Sequence, residues 1–587
     1  RLILRRPVFD FRIDASGQKN WDFSAIAPPV QFAEAPRSGT TLNDSGAAPL
    51  PERRHILPRR LSEVEHVRLD DVRIENGTLR FTEERTGKTR EVDRVNVKLA
   101  LKSLQSPITA SGDVTYLAEK IDFNAKLTSA RAILEEQPVQ LVFVAQNQHI
   151  NASFDGHLLV KDGADIEGQF TAASQSMRDL GQWLGISLPP SRGFGPLSVS
   201  GQLATAGNVT TLNPATIALD GAKATGSIAV TTGGARPYVR ANLRVSELDL
   251  NTYVATAERA APPQDAPPSG QAPAGGNSDQ IKELIEKSGG KVYGYAQRAG
   301  WSSAPFNLAL LGAIDSDAKL HVGKLFLKDV KIGQSALTVG LKNRVLKTSF
   351  DEVQLYDGHG NGFVTVDATG ALPKVGANLA LDGINALPFL QDAAKMSWLS
   401  GKAKVGLQVA MAGGNELQLV ESLNGNAALT FNNGAIAGFN LAGAIRGLSQ
   451  GNLAALKASP TEKTDFSELT ATFTIANGVA ENRDLNLVGP LLRATGAGKA
   501  MLAQRTLDYM LKPRIVASLD GQGGKAQSGI EVPVHLTGPW EKPKLDADLK
   551  GVLADPDKAI ETVKELGKQF KGKGAKELLN KFLGGEQ

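Results

Sequence analysis

Short runs that are apolar at every second position recur along nearly the whole chain. Val95, Val97, Leu99 and Leu101 alternate with Asn96, Lys98, Ala100 and Lys102. Phe123, Ala125 and Leu127 alternate with Asp122, Asn124 and Lys126. Val239, Ala241, Leu243 and Val245 alternate with Arg240, Asn242 and Arg244, and Leu337, Val339 and Leu341 with Ala336, Thr338 and Gly340. Strand side chains point to opposite faces with period two, so each run predicts a strand with one apolar face. The 61 glycines and the frequent Asn-Gly, Asp-Gly and Gly-Gly pairs place tight turns between them. The pattern predicts a mainly β protein: an elongated antiparallel sheet with a few short helices.

Residues 1–23 read as a strand pair closing on Gly17, and 27–60 as a Pro-rich loop ending in Arg53, Arg54, Arg59 and Arg60. Strands follow from 61 to about 173, with Asn76-Gly77 as a hairpin turn. A helix then starts at Ser176, capped three residues before Asp179, with Met177, Leu180 and Leu184 on one face and Trp183 beside them. Strands resume over 196–250. Residues 257–279 form a Pro/Ala/Gly linker, and 280–298 a polar helix. A second strand-rich block covers 301–550, with helical interruptions near 384–397 and 440–457. Asp555-Pro556 starts an amphipathic C-terminal helix carrying Ile560, Val563, Leu566 and Phe570, broken by Gly572 and Gly574. Phe170 to Gly201 and Leu379 to Val409 both run strand, short helix, strand, a loose internal repeat. The expected organisation is 1–256, a linker over 257–300, 301–550, and a terminal helix over 551–587.

Charge and composition narrow the function. The chain has 587 residues and a net charge of +4, which implies no nucleic-acid partner. Aromatics at 6% are too sparse for the girdles of an outer-membrane barrel. There is no cysteine, hence no disulfide framework and no thiolate metal site. No apolar run approaches the ~18 residues of a membrane-spanning helix. The chain opens at Arg1 inside a strand-like segment, and we expect an upstream signal or membrane anchor.

Candidate chemistry is thin. Gly447-Leu448-Ser449-Gln450-Gly451 matches the nucleophile-elbow spelling, but helix-like residues precede it where a strand is needed. Gly358-His359-Gly360-Asn361-Gly362 lacks the Lys-Ser/Thr ending of a phosphate loop and runs into a strand, so a hairpin turn is expected. The histidines show no metal-ligand spacing, although His149 and His157 flank an expected hairpin. Asp70-Asp71, Asp315/Asp317 and Asp555/Asp557 read as turn or capping acids. Lysines between Lys558 and Lys581 suit either a membrane-surface helix or a solvated helix face, and the interleaved Glu561, Glu565 and Glu577 favour the latter. No catalytic residue, metal or cofactor is expected, and an enzyme is disfavoured.

An ordered set of motifs resembles the AsmA family. Arg6-Pro7-Val8-Phe9-Asp10-Phe11, Gly17 and Asn20-Trp21-Asp22-Phe23 resemble its N-terminal region. Arg236-Pro237 and Leu355-Tyr356-Asp357-Gly358 fit its middle. The C-terminal block is more specific. It holds Leu423-Asn424-Gly425, the stretch from Phe431 to Leu441, Thr464 to Leu469, and Ile475 to Val479. Asp484-Leu485, Gly496-Ala497-Gly498, Leu507-Asp508-Tyr509, Val532-Pro533-Val534 and Gly538 to Pro543 complete it. The resemblance implies a periplasmic protein anchored to the bacterial inner membrane by a helix that this chain lacks. It implies a bent sheet whose hydrophobic groove carries the acyl chains of phospholipids, in support of the outer membrane and its proteins. It brings no catalytic residues.

The alternation has its own physics. An antiparallel sheet can keep one face wet, and covering the other along hundreds of residues needs an equally long second layer. An acyl chain gains about 0.8 kcal/mol per buried methylene in an open trough. Candidate lining residues are Val95, Val97, Leu99, Leu101, Phe123, Leu127, Leu243, Val245, Leu337, Val339, Leu429, Phe431, Phe473, Ile475, Leu485 and Leu487. The same residues suit the core of a β-sandwich equally well; the resemblance favours the groove. A scaffold that assembles outer-membrane proteins by pairing with a sheet edge is the alternative.

Overall fold

The computed structural model describes residues 1–16, 18, 20, 69–84, 87–161, 163–253, 300–440, 461–490, 492–515 and 533–547. The expected loop over 27–60, the linker over 257–300 and the helix near 440–457 except for residues 300 and 440, the helix over 280–298, the Ser449 motif and the C-terminal helix lie outside them. The described chain is mainly β, with few short helices. It divides into two units. The first comprises Arg1–Ile186 and Gly195–Leu219, and the second Ser187–Phe194 and Asp220–Gln587.

The first unit contains β1 (Leu2–Arg5), β2 (Val8–Ile13), β3 (Leu69–Glu83), β4 (Lys88–Leu101), β5 (Ile108–Tyr116) and β6 (Glu119–Leu127). It continues with α1 (Ala130–Leu134), β7 (Val139–Gln146), β8 (Asn151–Val160), β9 (Ala164–Ser174), α2 (Met177–Trp183), β10 (Leu197–Ala206) and β11 (Val209–Leu219). From β3 to β11 each strand pairs antiparallel with the next. β1 and β2 lie end to end along β3, both parallel to it, on either side of the kink at Arg6-Pro7. The Asp14 N–H donates to Gln18 O at 2.9 Å and Asn20 bonds back to Arg12; the expected turn residue Gly17 lies outside the described residues. Asn76-Gly77 forms no hairpin. Both residues sit inside β3 at a register shift, with Asn76 at φ 54°, making a bulge. α2 starts where expected: Ser176 Oγ accepts from the Asp179 N–H at 3.1 Å, a cap that contributes about 1 kcal/mol.

The second unit contains β12 (Ala222–Thr231), β13 (Tyr238–Asp249), β14 (Asp315–Leu327), β15 (Val330–Ile332), β16 (Ser335–Lys342), β17 (Val345–Leu355), β18 (Gly358–Asp367) and β19 (Lys374–Asn385). Then come α3 (Ala386–Ala394), β20 (Leu399–Ala412), α4 (Glu416–Glu421), β21 (Asn424–Ala437), β22 (Lys463–Ala476), β23 (Val479–Val488), β24 (Leu492–Met501), β25 (Thr506–Ile515), β26 (Val534–Pro539) and β27 (Lys544–Ala547). β13 and β14 pair in parallel; from β16 to β27 every neighbour is antiparallel. The hairpin expected at Gly358–Gly362 is displaced: the turn is Tyr356-Asp357, at φ 46° and 66°, and the glycines open β18. Both central residues at positive φ match the right-handed strand twist. The repeat read at Phe170–Gly201 and Leu379–Val409 is present as β9–α2–β10 and β19–α3–β20.

Candidate functional site

Register makes the alternation into continuous faces. In the first unit one row of directly opposed residues runs Ile74, Val97, Gly112, Phe123, Ala145, Ala152, Ala172, Val199 and Ile217, across nine strands. Its larger side chains are all half-buried, not buried. A parallel row carries Leu99, Ala125, Phe143, Phe154 and Phe170. Where Gly156 opposes Gly168 the strands close up, and the Phe154 ring lies over Gly156. α1 packs with Leu101 and Leu104 at one margin of this face. At the other margin α2 places Trp183 against the turns: its indole N–H donates to Tyr116 O at 3.2 Å and its ring stacks on His149 at 5.4 Å. His149 thus packs at a strand margin. His157 opposes Gln140 toward the opposite end of β8, so the two histidines do not approach each other.

In the second unit a comparable row runs Leu243, Leu320, Leu337, Phe350, Gly362, Leu379, Leu407, Ala427 and Phe473. It continues through Asn482, Gly498, Tyr509, Leu536 and Leu545. Register shifts at Phe350/Val353, Leu381/Ile384, Ser400/Lys402 and Asn482/Leu485 add bulges mid-strand, which bend strands. The bending brings opposite margins together. One margin holds the strand ends at Leu341, Ala412, Met501 and Pro539, the other those at Leu327, Leu355, Leu399 and Val488. Lys328, on the second margin, reaches Glu416 on the first at 2.9 Å. Trp398 Nε1, on the second, donates to Trp540 O on the first at 2.7 Å.

The enclosed face is partly filled by protein. Under α3, Phe389 and Leu390 pack with Ile384, Leu399, Phe431, Leu469, Leu487 and Leu492, and Ile384 is wholly buried. Tyr356 fastens α3 by donating its phenol to Asp392 at 2.6 Å; burial first, then that bond, pushes its pKa up to about 12. Away from α3 the same face is half-buried at Leu243, Val245, Leu320, Val339, Leu379, Leu407 and Phe473.

All sixteen residues singled out from the sequence stand on the apolar face of their own unit. Val97, Leu99, Phe123, Leu127, Leu243, Val245, Val339, Leu429, Phe473 and Leu485 are half-buried. Val95, Leu101, Leu337, Phe431, Ile475 and Leu487 are buried by neighbouring protein. Among the described residues no three His, Cys, Asp or Glu side chains gather as metal ligands. His535, the histidine downstream of the Ser449 motif, meets Asp508 at 2.6 Å. Among the same residues no helix is long and apolar enough to cross a membrane.

Residues 199–485, from β10 to β23, match the family model of the AsmA family. The chain belongs to the AsmA family. No curated protein and no solved structure matches it. The matched stretch of this AsmA-family chain carries the strand-and-helix units β19–α3–β20 and β20–α4–β21 and most of the second apolar row. Sequence reading missed the contacts that join opposite margins, because Lys328 and Glu416 are 88 residues apart and neither belongs to a motif.

Proposed function

We propose that this AsmA-family chain binds phospholipids by their acyl chains along its apolar faces and passes them between the inner and outer membranes. In this reading it works in the periplasm, held at the inner membrane, and supports outer-membrane integrity. Family membership is consistent with envelope-related lipid transport. The observation that carries the reading is the first unit's row from Ile74 to Ile217, apolar across nine strands and half-buried throughout. A two-layer sandwich would bury such a row. Methylene burial at about 0.8 kcal/mol each favours a long acyl chain there, and Ala, Val and Phe offer it no fixed polar contact, so it can slide. In this reading the chain is a carrier and not an enzyme.

Native mass spectrometry of the purified chain, followed by solvent extraction, tests the reading. Phospholipid recovered at one or more molecules per chain is the expected result. A lipid-free chain with a bound outer-membrane barrel protein points instead to an assembly scaffold.

A further inference from the structure

Three buried hydrogen-bond donors at one corner of the second unit have no partner: Arg505 Nε, Tyr509 Oη and Trp540 Nε1. Among the described residues the other such side-chain atom is Asn147 Nδ2, in the first unit. Buried donors are almost always bonded, because a bare one loses its hydration for nothing, so three together call for an explanation. Register gathers them. The Trp540 backbone N–H donates to Arg505 O at 2.9 Å, and the Trp540 ring lies 5.8 Å from the Arg505 guanidinium. Tyr509 stands in β25, which begins at Thr506 directly after Arg505, and opposes Leu536 of β26.

The corner departs from its surroundings. In the row from Leu243 to Leu545 the polar side chains are Asn482 and Tyr509, which flank Gly498. Asn482, 1% exposed, is fully engaged: its amide donates to Thr472 O and Asp484 Oδ1, and its oxygen accepts from the Leu485 N–H. Tyr509, 6% exposed, lays its ring over Gly498 with its hydroxyl unbonded. At the margin, Arg505 lies between the rings of Trp301 (4.6 Å) and Trp540. It gives Nη2 to Gly300 O, and its Nη1 forms an ion pair with Glu541 at 3.6 Å, which leaves Nε without a partner.

All three unbonded groups are donors, and one is a cation. Their complement is an acceptor-rich anion. The cation and one indole stand at the margin, and the phenol stands inside the apolar row. We propose that this corner holds the phosphoryl group of an acyl lipid, with Arg505 and Trp540 on the phosphate and Tyr509 on an acceptor next to the chains, such as an ester carbonyl. The inference rests on the lipid-carrier reading and adds a fixed headgroup site to it.

Affinities of the full chain for three probes test it: a phosphatidic acid, a diacylglycerol with the same chains, and inorganic phosphate alone. Phosphatidic acid is expected to bind roughly tenfold or more tighter than diacylglycerol. Tyr509→Phe and Trp540→Phe, which keep the rings, are each expected to lose roughly threefold to tenfold for phosphatidic acid and nothing for diacylglycerol. Equal wild-type affinity for both lipids overturns the headgroup site and leaves the carrier reading standing. Binding of neither lipid removes the carrier reading itself. Variants that gain thermal stability and bind phosphatidic acid as the wild type does show donors that are merely bare, which overturns the proposal. Inorganic phosphate that binds as tightly as phosphatidic acid makes the ligand a free anion, which overturns the lipid assignment.

Discussion

Lys328 and Glu416 leave opposite margins of one sheet, and their charges meet at 2.9 Å. The Lys328 side chain is 55% exposed, so the pair contributes at most about 1 kcal/mol to stability. Its consequence is geometric: it joins the two margins, and on the carrier reading it closes the way in between them. Lys328→Glu is expected to leave the melting temperature within a degree or two and to speed exchange of bound fluorescent lipid severalfold. The charge swap Lys328→Glu with Glu416→Lys is expected to restore the wild-type rate. Equal exchange rates in all three proteins would show that the pair does not gate the mouth.

Positions on the apolar face fall into two classes with different responses. Leu243 is half-buried, away from α3, whereas Leu487 is 2% exposed beneath the α3 cluster. Leu243→Asp is expected to keep the fold and cut lipid loading severalfold, since a carboxylate on the trough floor must be desolvated by each chain. Leu487→Ala is expected to cost about 2–5 kcal/mol of stability, by lost burial and a cavity. Chemical denaturation alongside lipid loading checks both; unfolding by Leu243→Asp contradicts an open face there.

The close approach of β8 and β9 depends on glycine. A Cβ at residue 156 would lie 2.3 Å from Glu167 O and 2.5 Å from Gly168 Cα. Both obstacles are backbone, so the strands must part. Gly156→Ala is expected to destabilise the first unit by about 1–3 kcal/mol, read as a lower urea midpoint.

Alkali is expected to loosen α3. Tyr356 has its pKa pushed from 10.0 to about 12 by burial and by its bond to Asp392. The folded state therefore holds this proton more tightly than the unfolded state does. The stabilisation is complete below pH 10 and is lost as pH rises toward about 12. Protection across 386–394, taken as exchange relative to the intrinsic rate at each pH, is expected to fall over that window in the wild type, and Tyr356→Phe is expected to remove this fall.

Much of the fold was legible because one physical rule wrote it. The alternations at 95–101, 122–127, 239–245 and 337–341 all lie in strands, since a sheet with one wet face must alternate. The Ser176 cap and the helix after Leu379 were legible for equally local reasons. Turns were less so: Asn76-Gly77 and Gly358–Gly362 have hairpin composition, but bulges and strand starts use the same residues. The parallel pairing of β13 with β14 left no trace, because alternation names a face and not a partner. The division of the apolar face into filled and half-open stretches follows clusters around Phe389 and Leu390 of α3, around Val409 and Ile475, and around Val322 and Leu337, which join residues distant in sequence. Tyr509 and Trp540 stood in the sequence as members of family-like motifs and Arg505 in none; nothing local marks their donors as buried and unbonded.

Photocrosslinking places a bound chain on a face most directly. A phospholipid with a photoreactive group near the acyl terminus would be bound to the chain, irradiated, and mapped by peptide mass spectrometry. The account predicts adducts at apolar-face residues such as Phe123, Phe143, Leu243 and Val339. Adducts concentrated on the opposite face, at Lys126, Arg240 or Arg244, or a labelling yield no higher than that of a denatured control, would contradict it.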